Sequence, residues 1–191
     1  MKKDIKWSID PQNSEIGFKV KHLVVSHVKG TFKTFDASIY TTNDDFTTAV
    51  IHVWIDASSI STGNIDRDKH LKSSDFLDIQ NHKQITFTSS TMGKPDLIGN
   101  HEMWGELTIK GTTQNVQLNI VSESISHDSL DNGKAVFKVT GKINRKDFGL
   151  TWNLAIETGG FMISDEVTLI CSVEVNNINQ KNLIIQLEPI P

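Results

Sequence analysis

Residues 103–113 read Met103-Trp104-Gly105-Glu106-Leu107-Thr108-Ile109-Lys110-Gly111-Thr112-Thr113. Met103, Gly105, Leu107 and Ile109 alternate with Trp104, Glu106, Thr108 and Lys110. A period of two is that of a strand with one buried face and one wet face. Lys110-Gly111-Thr112-Thr113 resembles the end of a phosphate-binding loop only superficially, because the upstream glycine and the loop-to-helix context are missing. A β-turn accounts for it better. Past the turn the alternation resumes with Val116, Leu118 and Ile120.

The same pattern extends in both directions. Upstream lie Ile5–Ile9, then Ile16, Phe18 and Val20, then Ala49, Ile51, Val53 and Ile55, then Ile85 and Phe87. Downstream lie Ala135, Phe137 and Val139, then Val167, Leu169, Cys171, Val173 and Val175. About eight strands emerge. Turn chemistry separates them at Thr42-Asn43-Asp44-Asp45, Gly93-Lys94-Pro95-Asp96, Asp131-Asn132-Gly133 and Thr158-Gly159-Gly160. Regular antiparallel strands hide their edges in a sandwich or by closing into a barrel. The fold class is all-β and antiparallel.

Residues 61–78, STGNIDRDKHLKSSDFLD, break the alternation. Ser61 or Thr62 is placed to cap a short helix, and Ser73, Ser74 or Asp75 a second turn carrying Phe76 and Leu77. Such an insert suits one mouth of a barrel. Helical spacing makes Asp66 with His70, and Asp68 with Lys72, i,i+4 neighbours. The cluster reads either as a solvated helix with ion pairs or as a cationic edge for a ligand head group.

Across 191 residues, 19 Lys+Arg against 23 Asp+Glu give a net charge of −4. That length fits one domain with a sizeable core, and no internal repeat or linker divides it. An acidic chain without a basic block is poorly suited to nucleic acid. The lone Cys171 forms no internal disulfide and no zinc finger, and its apolar, strand-like surroundings suit an inert thiol. The lysines of the N-terminus are followed by Asp4 and Asp10 and not by an apolar run, so the chain reads as cytoplasmic. No window has the roughly 18 apolar residues of a transmembrane helix.

Seven histidines make no HxH, HExxH or zinc spacing. His22 and His27, five apart, would face opposite sides of one regular strand. No serine lies in GxSxG. Neither a metal nor a cofactor is expected.

The run Arg67-Asp68-Lys69-His70-Leu71-Lys72-Ser73-Ser74-Asp75-Phe76-Leu77-Asp78 carries a resemblance to the YceI-like family of polyisoprenoid-binding proteins. Trp7-Ser8-Ile9-Asp10, Ile16–Leu23, Val28–Phe32, Ser59–Thr62, Ile85-Thr86-Phe87, Gly105–Thr113 and Asn144–Gly149 follow the family in order. The resemblance covers roughly residues 5–176. It departs at Lys83-Gln84, where the family often carries a proline, and in a longer tail. It divides the chain into a barrel domain, 1–176, and a C-terminal extension, 177–191.

The resemblance implies a lipocalin-like, eight-stranded antiparallel barrel with short helices at one end. It also implies non-enzymatic binding or carriage of a polyisoprenoid or similar amphipathic lipid. An eight-stranded barrel is just wide enough to be filled by side chains or to hold one small ligand. The inward series Phe18, Val20, Phe32, Ile51, Val53, Phe87, Leu107, Leu118, Phe137 and Phe161, with Phe76 of the insert, would line the tube. Arg67, His70 or Arg145 would supply donors to a head group. Two alternatives stay open. One is an enzyme on an apolar substrate with His22, Asp68 or His70 as acid/base groups. The other is an interaction protein with a filled barrel, forming a homodimer through a barrel edge and the tail, whose Leu183, Ile184, Ile185 and Leu187 are apolar.

Overall fold

The computed structural model describes residues 4–22, 26–97, 99–128, 133–154 and 162–177. Strands β1 (Asp4–Ile9), β2 (Glu15–His22), β3 (Ser26–Phe32), β4 (Phe35–Thr42), β5 (Asp45–Asp56) and β6 (Ile60–Ser61) precede the helix α1 (Ile65–Lys72). Strands β7 (Gln84–Met92), β8 (Asn100–Ile109), β9 (Thr112–His127), β10 (Gly133–Asn144) and β11 (Ile163–Asn177) follow it. Every pairing is antiparallel, and β1 returns to β11 to close the wall.

The closed barrel has eight staves, two of which are broken. Ile9 lies opposite Val175 and Glu15 opposite Ser172, so β1 and β2 run in one direction along the same edge of β11. Residues 10–14 bulge out between them. Glu174, buried and paired with Lys134 at 2.7 Å, holds the bulge in place. Its backbone carbonyl accepts from the Asp10 amide at 2.8 Å, and its amide donates to Ser14 Oγ at 2.9 Å. Strands β3 and β4 form the second broken stave, parted by Lys33-Thr34. The remaining staves are β5 and β7 to β11.

The expected number of staves therefore arises differently from the sequence reading, in which Ile5–Ile9 and the run around Phe18 counted as two. The stave that was missed is β3 and β4. Ser26-His27-Val28-Lys29-Gly30 has too few apolar residues to show alternation, and the inward side of β4 includes small Ala37 and polar Thr41. Gly30 has a packing reason. It lies opposite Phe18, and a Cβ there would sit 2.3 Å from the Phe18 ring.

The Lys110-Gly111 turn is as expected. Both residues have positive φ, 49° and 72°, the two-residue geometry that matches the twist of a hairpin between β8 and β9. The helix differs in detail. Its N-cap is Asn64, whose side chain accepts from the Arg67 amide at 2.9 Å, and neither Ser61 nor Thr62 plays that part. The i,i+4 pairs are not made either. Asp68 turns back to Thr62, accepting from its amide at 2.8 Å and its hydroxyl at 2.5 Å. His70 turns forward to Asp75, 2.8 Å away.

One end of the barrel is packed solid. Trp7, Ala135 and Val175 there are 0% exposed. The Trp7 indole N–H donates to Thr41 Oγ1 at 2.9 Å, and its ring meets Phe46, which meets Phe137, with both centroid separations 4.8 Å. Helix α1, the Lys110-Gly111 turn and the segment after Arg145 all lie at the opposite end. Trp7→Ala should cost about 3–5 kcal/mol, while Leu169→Ala in the half-buried stretch of β11 should cost less than about 2 kcal/mol. Urea unfolding of the two variants checks the contrast.

Candidate functional site

Between the packed end and α1 the barrel is hollow. The cavity is about 610 Å³ and almost wholly apolar. It arises because the inward residues of β2, β3, β5 and β11 do not reach the centre. Phe18, Val20, Phe32, Ile51 and Val53 are only half-buried, and so are Val167, Leu169 and Val173. The opposite wall, with Phe87, Leu107, Leu118 and Phe137, is buried. Such a volume is within the roughly 300–1,000 Å³ of small-molecule sites. The filled barrel considered above is not what these side chains build.

All the expected lining residues within the described part of the chain face this cavity, as do Phe76, Arg67, His70 and Arg145. Phe161 lies outside the described residues. The sequence reading left out the β11 face, Val167, Leu169, Cys171 and Val173, although its alternation was plain. It also left out Trp152, Met92 and His101, which sit in stretches without a usable period.

Arg145 begins a short 3-10 turn and is only 3% exposed. Its Nε donates to the Ser164 carbonyl at 3.0 Å, and Nη1 to the carbonyls of Leu150 and of Trp152, the latter at 2.9 Å. Nη2 reaches the Ile163 carbonyl at 3.5 Å and Asp165 at 3.2 Å. Five N–H groups thus meet five acceptors. Burial holds its pKa below the usual arginine value, with Asp165 opposing the shift. Arg145 ties the segment after it to the start of β11 and has no donor to spare for a head group.

Arg67 is half-buried on α1, with Nε donating to Thr62 Oγ1 at 2.7 Å and Nη2 to the Thr62 carbonyl at 3.0 Å. Its Nη1 has no protein partner among the described residues. His70 stands edge-on to Trp152 at 4.5 Å and to Phe76 at 5.1 Å between ring centroids. That cluster joins α1 to the segment anchored by Arg145. His22 also faces the cavity, opposite Ser26 across the β2–β3 pairing, while His27 lies opposite Lys21. Asp68, considered above as an acid/base group, is occupied by Thr62 and does not line the cavity. Among the described residues no three His, Cys, Asp or Glu side chains gather as metal ligands. Nor is any helix long and apolar enough to cross a membrane.

The profile of the YceI-like domain matches residues 7–175. The chain belongs to the YceI-like family. A UPF0312 protein of Staphylococcus epidermidis is 39% identical to this YceI-like chain over 171 residues, covering 88% of the chain and 96% of that relative. A UPF0312 protein of Staphylococcus aureus is 36% identical over 169 residues, covering 88% and 95%. The solved YCEI protein of Campylobacter jejuni is 31% identical with a TM-score of 0.72, covering 84% of this chain and 91% of that one. A polyisoprenoid binding domain from Saccharophagus degradans shares the fold at a TM-score of 0.66 and 14% identity, covering 91% and 99%.

Two outcomes follow from this geometry. Arg145→Lys leaves several carbonyls without donors and should cost about 2–4 kcal/mol in chemical denaturation. Cys171 faces the cavity, and burial pushes its thiol pKa above the usual range, so it stays protonated at neutral pH. Alkylation of this cysteine, followed by mass spectrometry at pH 7, should be slow in the folded chain and fast in urea.

Proposed function

We propose that this YceI-like chain binds a polyisoprenoid or similar long-chain lipid, with the tail in the barrel and the head group at the α1 end. The observation that carries the proposal is the apolar cavity of about 610 Å³ inside a closed barrel. An empty apolar space of this size forfeits packing contacts that a bound tail restores. Each CH₂ buried from water stabilises the complex by about 0.8 kcal/mol. The printed ligand class of the Saccharophagus degradans domain supports the same reading on the same fold.

The role is binding without turnover. Of the polar groups on the wall, Arg145 is saturated and His70 is held by Asp75 and two aromatic rings. Arg67 and His22, both in the lining, are the groups left to meet a head group.

Native mass spectrometry of the freshly purified chain should show a stoichiometric adduct that organic extraction recovers as a lipid of unchanged mass. A clean apo mass that takes up no added prenol or quinone overturns the proposal. Leu169→Trp fills the hollow with a side chain already facing it, and should abolish the adduct while leaving the melting temperature equal or higher.

A further inference from the structure

The end of the cavity away from α1 carries a second inference, independent of the lipid-binding reading. Strand β8 begins at that end, and two of its inward residues, His101 and Met103, line the wall. Met103 lies directly opposite Met92 on β7, which lines the wall as well. Met92 owes that position to a β-bulge. Phe87 and Ser89 stand opposite the inward Leu107 and Gly105, and without the register shift between Ser89 and Thr91 the next inward residue of β7 would be Thr91. Bulges re-aim side chains in this way. The bulge, and not a sequence spacing, makes Met92 a neighbour of His101 and Met103.

Directly opposed residues have Cβ atoms about 4.5–5.5 Å apart, and diagonal neighbours such as His101 and Met92 are about 7–8 Å apart. His101 and Met103, two apart on one face, are separated by about 7 Å along the strand. A methionine side chain turns about three bonds, so two thioethers and one imidazole can converge on one point. The imidazole is already oriented. His101 Nδ1 lies 3.1 Å from the Gly93 carbonyl oxygen. A carbonyl only accepts, so Nδ1 carries the proton and the neutral ring keeps its lone pair on Nε2. Metal-binding imidazoles are held through the other ring nitrogen in this manner. Gly93 directly follows Met92, and its amide donates to the Glu102 carbonyl at 2.7 Å, so one turn fixes both ligands.

The donor set defines the ion. Thioethers favour soft metals such as Cu(I), and imidazole suits copper too, whereas hard cations take oxygen ligands. Three neutral ligands cancel no charge, so a monocation is far less costly than a dication against an apolar wall. Asp45, at the start of β5, supplies negative charge nearby. Its carboxyl is held below the usual range chiefly by the Thr47 hydroxyl and amide, with a smaller contribution from His101. We propose that His101, Met103 and Met92 form a binding site for Cu(I).

The test titrates Cu(I) anaerobically into the full chain against a chromogenic Cu(I) chelator. Cys171 also faces the cavity, on β11, three strands round the wall from β8, and its thiol is itself a soft ligand. One Cu(I) per chain should therefore remain bound in Cys171→Ser. In that background Met92→Leu and Met103→Leu, which nearly conserve volume, should each weaken binding at least about tenfold, and Met162→Leu by less than about twofold. Excess Zn(II) should not displace the Cu(I). Ag(I) added to the unsubstituted chain, labelled with ¹³C at the methionine methyls, should shift two of the four signals, assigned by nuclear Overhauser contacts to Met92 and Met103.

Loss of binding in Cys171→Ser would make the thiol the ligand and overturn the site. Unchanged affinity in both folded leucine variants, or displacement by Zn(II), would overturn it as well. Where a variant fails to fold, the methyl spectrum decides, and unmoved Met92 and Met103 signals overturn the proposal. None of these outcomes bears on the lipid adduct, which is measured without metal.

Discussion

Closure of the barrel is the constraint on which everything else depends. Once β1 pairs with the end of β11, the cross-section of the interior is set by the number and tilt of the staves and no longer by the side chains. The side chains then either fill that section or leave it open. At one end Trp7, Phe46 and Phe137 fill it. Farther along, Val20 and Val167 are too short to do so, and the hollow follows from their size.

Closure also explains the polar side chains that are buried. The break between β1 and β2 interrupts a wall that must stay continuous, and there the Glu174 carboxylate accepts from the Asn13 side-chain amide at 3.3 Å while its backbone groups bond Asp10 and Ser14. Arg145 does the same at the other end, where the chain leaves the sheet for a stretch without ladder partners. Its five acceptors come almost entirely from backbone carbonyls, which would otherwise be buried without donors. These two charged residues owe their burial to the architecture, and neither is available to a ligand.

Much of this was legible in the sequence, because strict alternation over Met103–Ile109 and Val167–Val175 fixes which side chains face inward. The broken stave β3 and β4 was not, since Ser26–Gly30 contributes one apolar side chain, Val28, and pairing with β2 decides its structure. At the site, the membership of Arg67, His70 and Arg145 could be read from the motif, but their availability could not. Whether an arginine faces a ligand or a set of carbonyls depends on atoms far apart in sequence, such as Arg145 and Ser164. The helix cap at Asn64 was missed for a local reason: three capping residues lie within four positions, and Thr62 is drawn away by Arg67 and Asp68.

The wall is not equally stiff all round. Strands β10 and β11 share eleven cross-strand pairs, whereas β3 is joined on its outer edge to β6 by two, Thr31 with Ser61 and Phe32 with Ile60. Parting that seam sacrifices very little backbone bonding, and local opening favours the stretches where least is lost. The seam runs beside α1, with the Thr62 methyl over Gly30. The barrel therefore has a rigid back and a compliant front, and the compliant side is the one that borders the helix.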